Sequence, residues 1–243
     1  MPSRLPFLIE QLYAEYGPRG WWPLTAVTGE PPRYSPTPCS EFPPQACSRA
    51  QIFEIGVGAV LVQRVTWRAV ANVIAQLSAA QLLRPEALLA CPTPNLETLV
   101  RSCGTYRRKV QSLREWALWL SERVGDAPPA PHELRPIRGF GPETVDSILL
   151  YGYGVPRFIA DAYARRVLGR IGILSDDRDY ERSQREIVAA VELDRWQCDE
   201  GHALLVEVAK NHCRTKPDCN GCPLTQSCDY WRRGDASTRG VGS

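Results

Sequence analysis

Lysine is almost missing from this chain. Lys109, Lys210 and Lys216 are the only lysines among 29 Lys and Arg residues, so chemistry that needs a side-chain amine has three candidates. An excess of one charge sign is missing too. With 29 basic and 27 acidic residues the net charge is +2, and attraction to nucleic acid has to come from local basic patches. No apolar run reaches 18 residues, which excludes a transmembrane helix from the expectation. Residues 1–16 carry charges and no signal-peptide core. Few segments alternate with period two, so no sheet of note is expected, and no long internal repeat is found.

Cysteine, by contrast, is plentiful. The chain has nine, an odd number, and with no secretory signal they argue for a reducing cytosol. Cys39, Cys47, Cys91, Cys103 and Cys198 read as ordinary thiols, with a Cys39–Cys47 disulfide as the alternative. The tail differs: Cys213, Cys219, Cys222 and Cys228 form a C-x5-C-x2-C-x5-C run. Four thiolates so close in sequence can wrap one metal centre, and soft sulfur ligands select zinc or an iron–sulfur cluster. Structural zinc sites usually pair two close Cys pairs across a longer gap, whereas here only Cys219 and Cys222 are a close pair.

The rest of the chain reads as helices. A short amphipathic one over 4–16 carries Leu5, Leu8, Ile9 and Leu12 on one stripe. Residues 28–47, rich in Pro, Gly, Ser and Thr, predict an irregular loop. Ser48 with Gln51 forms a capping box ahead of an apolar run. Helices are predicted over 49–62, 66–78, 84–90, 95–102 and 106–123, with Thr93-Pro94 as an N-cap and N1 pair. After the break at 125–131 they resume over 132–136, 142–152, 161–171, 181–192 and 197–211. The fold class is all-α.

A Gly-x-Gly turn, Gly139-Phe140-Gly141, separates two helical stretches between Leu134 and Leu150. Glycines there can take positive φ and bring backbone close to a ligand, and Pro142 suits the first helical position. Backbone N–H groups at such a helix start suit a phosphate oxygen. Twenty residues past Gly141, Asp161 opens another helix in Ile-Ala-Asp-Ala-Tyr, followed by Arg165-Arg166.

Leu-x-x-Ile-x-Gly-Phe-Gly-Pro-Glu-Thr, then Ile-Ala-Asp-Ala-Tyr-x-Arg-Arg, then the four tail cysteines, resembles the endonuclease III-like helix–hairpin–helix DNA glycosylase superfamily in order and spacing. The resemblance covers about residues 48–230; the first arm of the cysteine run is one residue shorter than is usual there. It implies two α-helical domains with a DNA cleft between them. The expected division is 1–47, an N-terminal helix and loop packing with the C-terminal domain; 48–158, a six-helix barrel with the hairpin; and 159–243, the C-terminal helices and cluster loop. It also implies a [4Fe–4S] cluster on the four cysteines, duplex DNA with a damaged base as partner, a monomer, no membrane, and a cytoplasmic, nucleoid-associated protein.

Roles follow residue by residue. Asp161 matches the catalytic aspartate, whose carboxylate stabilises an oxocarbenium-like sugar or directs a nucleophile; an N-cap is the plainer role its position allows. Bifunctional relatives carry a lysine two residues after the second hairpin glycine, and the amine forms a Schiff base. Here that residue is Glu143, which implies a monofunctional enzyme that leaves an abasic site. Gln63 matches the position that fills the gap left by a flipped nucleotide, and Tyr106 a loop near the opposite strand. Arg107, Arg108 and Lys109 are phosphate contacts or a solvated helix face. Gly139, Gly141 and Thr144 of the hairpin, and Arg214 and Lys216 of the cysteine loop, are expected at the DNA backbone.

Gly20-Trp21-Trp22-Pro23 resembles the type III 3-methyladenine glycosylase branch. Trp21, Trp22 and Pro23 are then an aromatic wall for a cationic alkylpurine, or an anchor of the N-terminal segment. Lys210 is placed near that base pocket or at the surface, and His202 in the pocket or packed in the core. The open alternatives are an endonuclease III-like lyase on oxidised pyrimidines, a glycosylase for uracil or mismatched adenine, and a non-catalytic damage binder.

Overall fold

Local sequence rules set most helix boundaries. The computed structural model describes residues 4–25, 32–34, 47–175 and 179–234, so most of the predicted 28–47 loop lies outside the described residues. Among them there is no strand, only an isolated bridge between Leu24 and Arg33. No helix is long and apolar enough to cross a membrane.

The chain gathers into two compact units. One runs from Gly20 to Arg157 among the described residues, and the other joins the chain up to Arg19 with the chain from Phe158 onward. In the first, α2 (Arg49–Leu61) starts at the Ser48–Gln51 capping box and is buried along nearly its whole length, from Ile52 to Leu61. A helix apolar on every side has to be surrounded. Its neighbours include α3 (Trp67–Ala79) and α6 (Tyr106–Glu122), and α6 also packs on α4 (Pro85–Ala90) and α5 (Thr93–Val100). Two glycines notch α2. A Cβ on Gly56 would lie 2.3 Å from Trp116 Nε1, and one on Gly58 would lie 3.0 Å from Trp22 Nε1. The buried Trp116 indole donates to the Phe53 carbonyl at 3.2 Å and sits against Phe140 with ring centroids 5.5 Å apart.

The predicted start of α5 needs correcting. Helical structure begins at Thr93, two residues before the expected 95, and Pro94 occupies the second position, not the first. Pro92 is the N-cap, because two prolines this close leave little choice of backbone before the first turn. The short α7 (Pro131–Leu134) and α8 (Pro142–Ser147) flank the Gly-x-Gly turn, and α8 runs on into a wider π-type turn over Ile148–Gly152.

In the second unit α1 (Leu5–Tyr16) lays Leu5, Leu8, Ile9 and Leu12 on α11 (Arg195–Asn211), where Gly201 makes room for Ile9. α9 (Ala162–Ile171) packs on α11, on α10 (Tyr180–Ala190) and on α12 (Asp229–Arg232). Asp179 and Asp194 cap α10 and α11 with their side chains.

Candidate functional site

The hairpin turn is shaped by its own backbone. Leu134, Ile137 and Phe140 are buried, which leaves Arg135, Arg138, Gly139 and Gly141 at the surface. Gly139 takes φ +76°, and a Cβ there would come within 2.8 Å of Ser112 Oγ. Gly141 has an ordinary φ of −71° and open space where a Cβ would go. Nothing inside the protein requires glycine at 141, whereas a ligand that must meet the backbone closely would. Glu143 is exposed on the first turn of α8.

Gln63 stands in the turn after α2, and its side-chain amide donates to the Gly139 carbonyl at 2.9 Å and to Thr144 Oγ1 at 3.1 Å. The next residue, Arg64, is exposed with φ +61°, uncommon for a residue with a Cβ. Tyr106 is half-buried, with the guanidinium groups of Arg101 and Arg107 over its ring, 5.4 and 5.6 Å from the centroid. Arg107 also reaches Glu97 at 3.7 Å, and Arg108 is exposed.

Lys109 corrects the sequence reading. It is buried rather than solvated or phosphate-facing, and its Nζ donates to the Leu61 and Gln63 carbonyls at 2.8 Å each. Its position is three residues into α6, on the side that faces the end of α2, so burial lowers its pKa. The basic cluster Arg107-Arg108-Lys109 therefore splits by helix face, two out and one in.

An aromatic cluster sits beside α2. Trp22 contacts Trp67 and Tyr151 edge-on or tilted, with centroids 5.3 and 5.2 Å apart, and Trp21 lies 6.4 Å from both Tyr34 and Tyr151. Pro23 is buried. Two residues on, Thr25 donates its N–H and its hydroxyl to the buried Glu54 carboxylate, at 2.6 and 2.7 Å. Burial pushes the Glu54 pKa up, and the two Thr25 bonds oppose that. Trp67, Tyr151 and Glu54 escaped the sequence reading. Their positions inside otherwise apolar helices give no local mark, and only the Glu in the middle of an apolar run was a legible oddity.

In the other unit, Asp161 is at once a cap and a reactive-looking carboxylate. Oδ1 accepts the Ala164 N–H at 2.7 Å, and Oδ2 lies 3.6 Å from His202 Nε2 on α11. The side chain is 14 % exposed and that of His202 6 %. Burial alone would raise the Asp161 pKa, but His202, the Ala164 amide and Arg165 outweigh it and hold the carboxyl below its ordinary range. His202 is therefore both packed and aimed at the aspartate. Lys210, two turns further along α11, is exposed, and its carbonyl accepts from Arg214 Nε at 2.7 Å. Lys216 is exposed as well.

The four tail cysteines line one pocket with Val167, Ile171 and Trp231 among its walls. All four are unbridged and half-buried. Arg170 of α9 reaches across: Nη1 donates to Cys213 Sγ at 3.2 Å and to the Arg214 carbonyl at 2.6 Å, and Nη2 to the Thr215 carbonyl at 3.0 Å. Arg166, one turn earlier, donates Nε to the Cys213 carbonyl at 2.7 Å. Burial and then the other thiols push the Cys222 pKa up to about 11 and raise that of Cys219. Among the described residues no three or more His, Cys, Asp or Glu side chains converge as a site for a single metal ion. The Cys47 thiol donates to the Tyr151 carbonyl at 3.4 Å; Cys39, the other half of the alternative disulfide, lies outside the described residues.

Known proteins resemble this chain. Residues 57–192 match the HhH-GPD superfamily of base excision DNA repair proteins. A protein of Methanocaldococcus jannaschii, provisionally named a DNA repair glycosylase, is 29 % identical over 223 residues, 88 % of this chain and 90 % of its own. Endonuclease III of Bacillus subtilis is 26 % identical over 198 residues, covering 80 % and 89 % of the two chains. The structure of a trapped endonuclease III–DNA covalent intermediate superposes with a TM-score of 0.73 over 96 % of this chain and 98 % of the other, at 19 % identity. The chain belongs to the HhH-GPD superfamily of base excision DNA repair proteins, and it is a DNA N-glycosylase.

Proposed function

We propose that this enzyme is a monofunctional glycosylase that hydrolyses the N-glycosidic bond of a flipped, alkylated purine in duplex DNA and leaves an abasic site. The observation that carries the reading is Glu143, an exposed carboxylate where an imine-forming amine would have to stand. Of the three lysines, Lys109 is buried with its amine on two carbonyls, which leaves Lys210 and Lys216 at the surface. With a carboxylate at 143 in place of an amine, water is the acceptor.

Asp161 supplies what such a hydrolysis needs. Departure of the base leaves positive charge on the sugar, and an ionised carboxylate with little exposure stabilises it more strongly than one in open water. The Ala164 N–H fixes one oxygen, so the other keeps its direction. The depressed pKa keeps the group ionised at neutral pH. An alkylated purine is cationic and already a good leaving group, so strong acid assistance is unnecessary. The Trp21–Trp22–Tyr151 cluster supports this substrate class, because an aromatic face attracts a flat cation. Gly139, Gly141 and Thr144, with Gln63, Tyr106, Arg107 and Arg108, are the proposed DNA contacts of the hairpin-bearing unit, and Arg214 and Lys216 those of the cysteine loop.

Cys213, Cys219, Cys222 and Cys228 are the proposed ligands of a [4Fe–4S] cluster, which would hold the C-terminal loop in shape. Four thiols around a pocket, with Arg170 donating to one of the sulfurs, suit a group larger than a single ion.

Duplexes holding single lesions, each split before and after hot alkali, test the reading. We expect cleavage only after alkali, strongest for a methylated purine. The second reading, a lyase on oxidised pyrimidines, is favoured by similarity to the relative named endonuclease III and requires strand breaks without alkali.

A further inference from the structure

We propose that Lys109 is a positioning residue that locks the turn carrying Gln63 to the hairpin, so that gap-filling and phosphate-gripping loops act as one preassembled element. The inference rests on the proposed DNA role of Gln63 and the hairpin.

The last carbonyls of a helix have no partner within it and carry the negative end of its dipole. At the end of α2 the carbonyls of Leu61 and Gln63 both accept from Lys109 Nζ at 2.8 Å. A buried ammonium is unfavourable unless it is bonded, and here it meets a helix end that wants a cation. The same ammonium therefore fixes the backbone of Gln63, while the Gln63 side chain is bonded to Gly139 and Thr144 of the hairpin. Arg64 at φ +61° shows that the turn is held in a shape its own sequence does not favour.

A second strut comes from the same helix. Ser112 is one turn along α6 from Lys109 and on the same face. Its Oγ, bonded to the Arg108 carbonyl at 3.1 Å, stands where only a hydrogen of Gly139 fits. One face of α6 thus touches the Gln63 turn through Lys109 and the hairpin through Ser112. Arg107 and Arg108 stay exposed, Arg107 within reach of Glu97. Nothing in the hydrolysis itself uses Lys109.

The test uses the full chain and Lys109→Met, which keeps length and burial but removes the donor. Amide hydrogen exchange is read over 62–66 and 137–144. We expect it to quicken at least about tenfold in both segments, with α9 and α11 unchanged. Single-turnover base release from a methylated duplex should fall about 10- to 100-fold. Lys109→Arg, which keeps the cation and its donors, should restore both readouts. In a double-mutant cycle Lys109→Met should add no more than about twofold to the loss caused by Gln63→Ala, since both break one unit.

Faster exchange confined to 62–66, or losses that multiply in the cycle, would overturn the proposal. Should Lys109→Met fail to fold, Lys109→Gln, whose shorter amide reaches one carbonyl at most, takes its place, and wild-type exchange in both segments then overturns it. Absence of base release from the wild type, with the paired exchange effect intact, would refute the glycosylase reading and leave the coupling standing.

Discussion

Two aspartates of low exposure, Asp146 in one unit and Asp161 in the other, show what separates a structural carboxylate from a chemical one. Asp146, in the hairpin-bearing unit, has a side chain 3 % exposed and ion-pairs with Arg157, a permanent cation. Asp161, in the other unit, is 14 % exposed; an amide holds one oxygen and an imidazole lies 3.6 Å from the other. A guanidinium neutralises its partner at every pH and fixes it. Asp161 has no such one-to-one guanidinium partner and keeps more exposure, so its carboxylate is the more open of the two to a sugar cation. Burial alone would have ranked the wrong residue first.

The largest expected effect tests that contrast at the level of rate. Asp161→Asn should slow single-turnover base release about 1,000-fold or more, roughly 4 kcal/mol of barrier, by removing the charge at the reacting sugar. Asp146→Asn should leave the rate within a few fold. Equal losses from the two would break the comparison.

Stability should reverse the order. Asp146→Asn strands a mostly buried guanidinium, and urea unfolding should show a loss of about 2–3 kcal/mol. The value sits below the usual range for a broken buried pair because Arg157 is 29 % exposed. Asp161→Asn should lose less than about 1 kcal/mol, since asparagine caps a helix as well as aspartate does. Asp161→Ala removes the cap of α9 as well and should cost about 1 kcal/mol more than Asp161→Asn.

The smallest effect is in pH. The Asp161 pKa is depressed in the fold below the unfolded value of 3.8. The carboxylate therefore contributes stability above about pH 3.8 that is lost as pH falls through the folded value. The stability gap between the wild type and Asp161→Asn should stay constant from neutral pH to about 4 and shrink below it, in acid titrations followed by circular dichroism.

Much of this was readable in the sequence, and particular residues show why the remainder was not. Period and capping chemistry are local, so the Ser48–Gln51 box, the stripe of α1 and the Gly139 turn were visible without coordinates. Asp161 was legible as both cap and catalytic candidate, and its cap is realised by the Ala164 bond. Lys109 was misjudged, because a basic triplet at a helix start reads as solvated unless the end of another helix is known to face its third member. Arg170 and His202 gained meaning only through partners 43 and 41 positions away in the chain. The aromatic neighbours of Trp22 were hidden for the same reason: Trp67 and Tyr151 are ordinary core residues until the fold brings them together.

The two notches of α2 also set a limit on engineering. Glycine inside a helix is a usual target for stabilisation, since alanine gains about 1 kcal/mol in propensity. Here the added methyl at residue 56 would strike the Trp116 ring at 2.3 Å, and at residue 58 the Trp22 ring at 3.0 Å. Consensus or propensity-guided design that treats α2 as a helix to be tidied would push one indole out of the core and shift another in the proposed base wall. A thermostable variant of this enzyme would have to be sought elsewhere, on exposed helix faces such as that of α10.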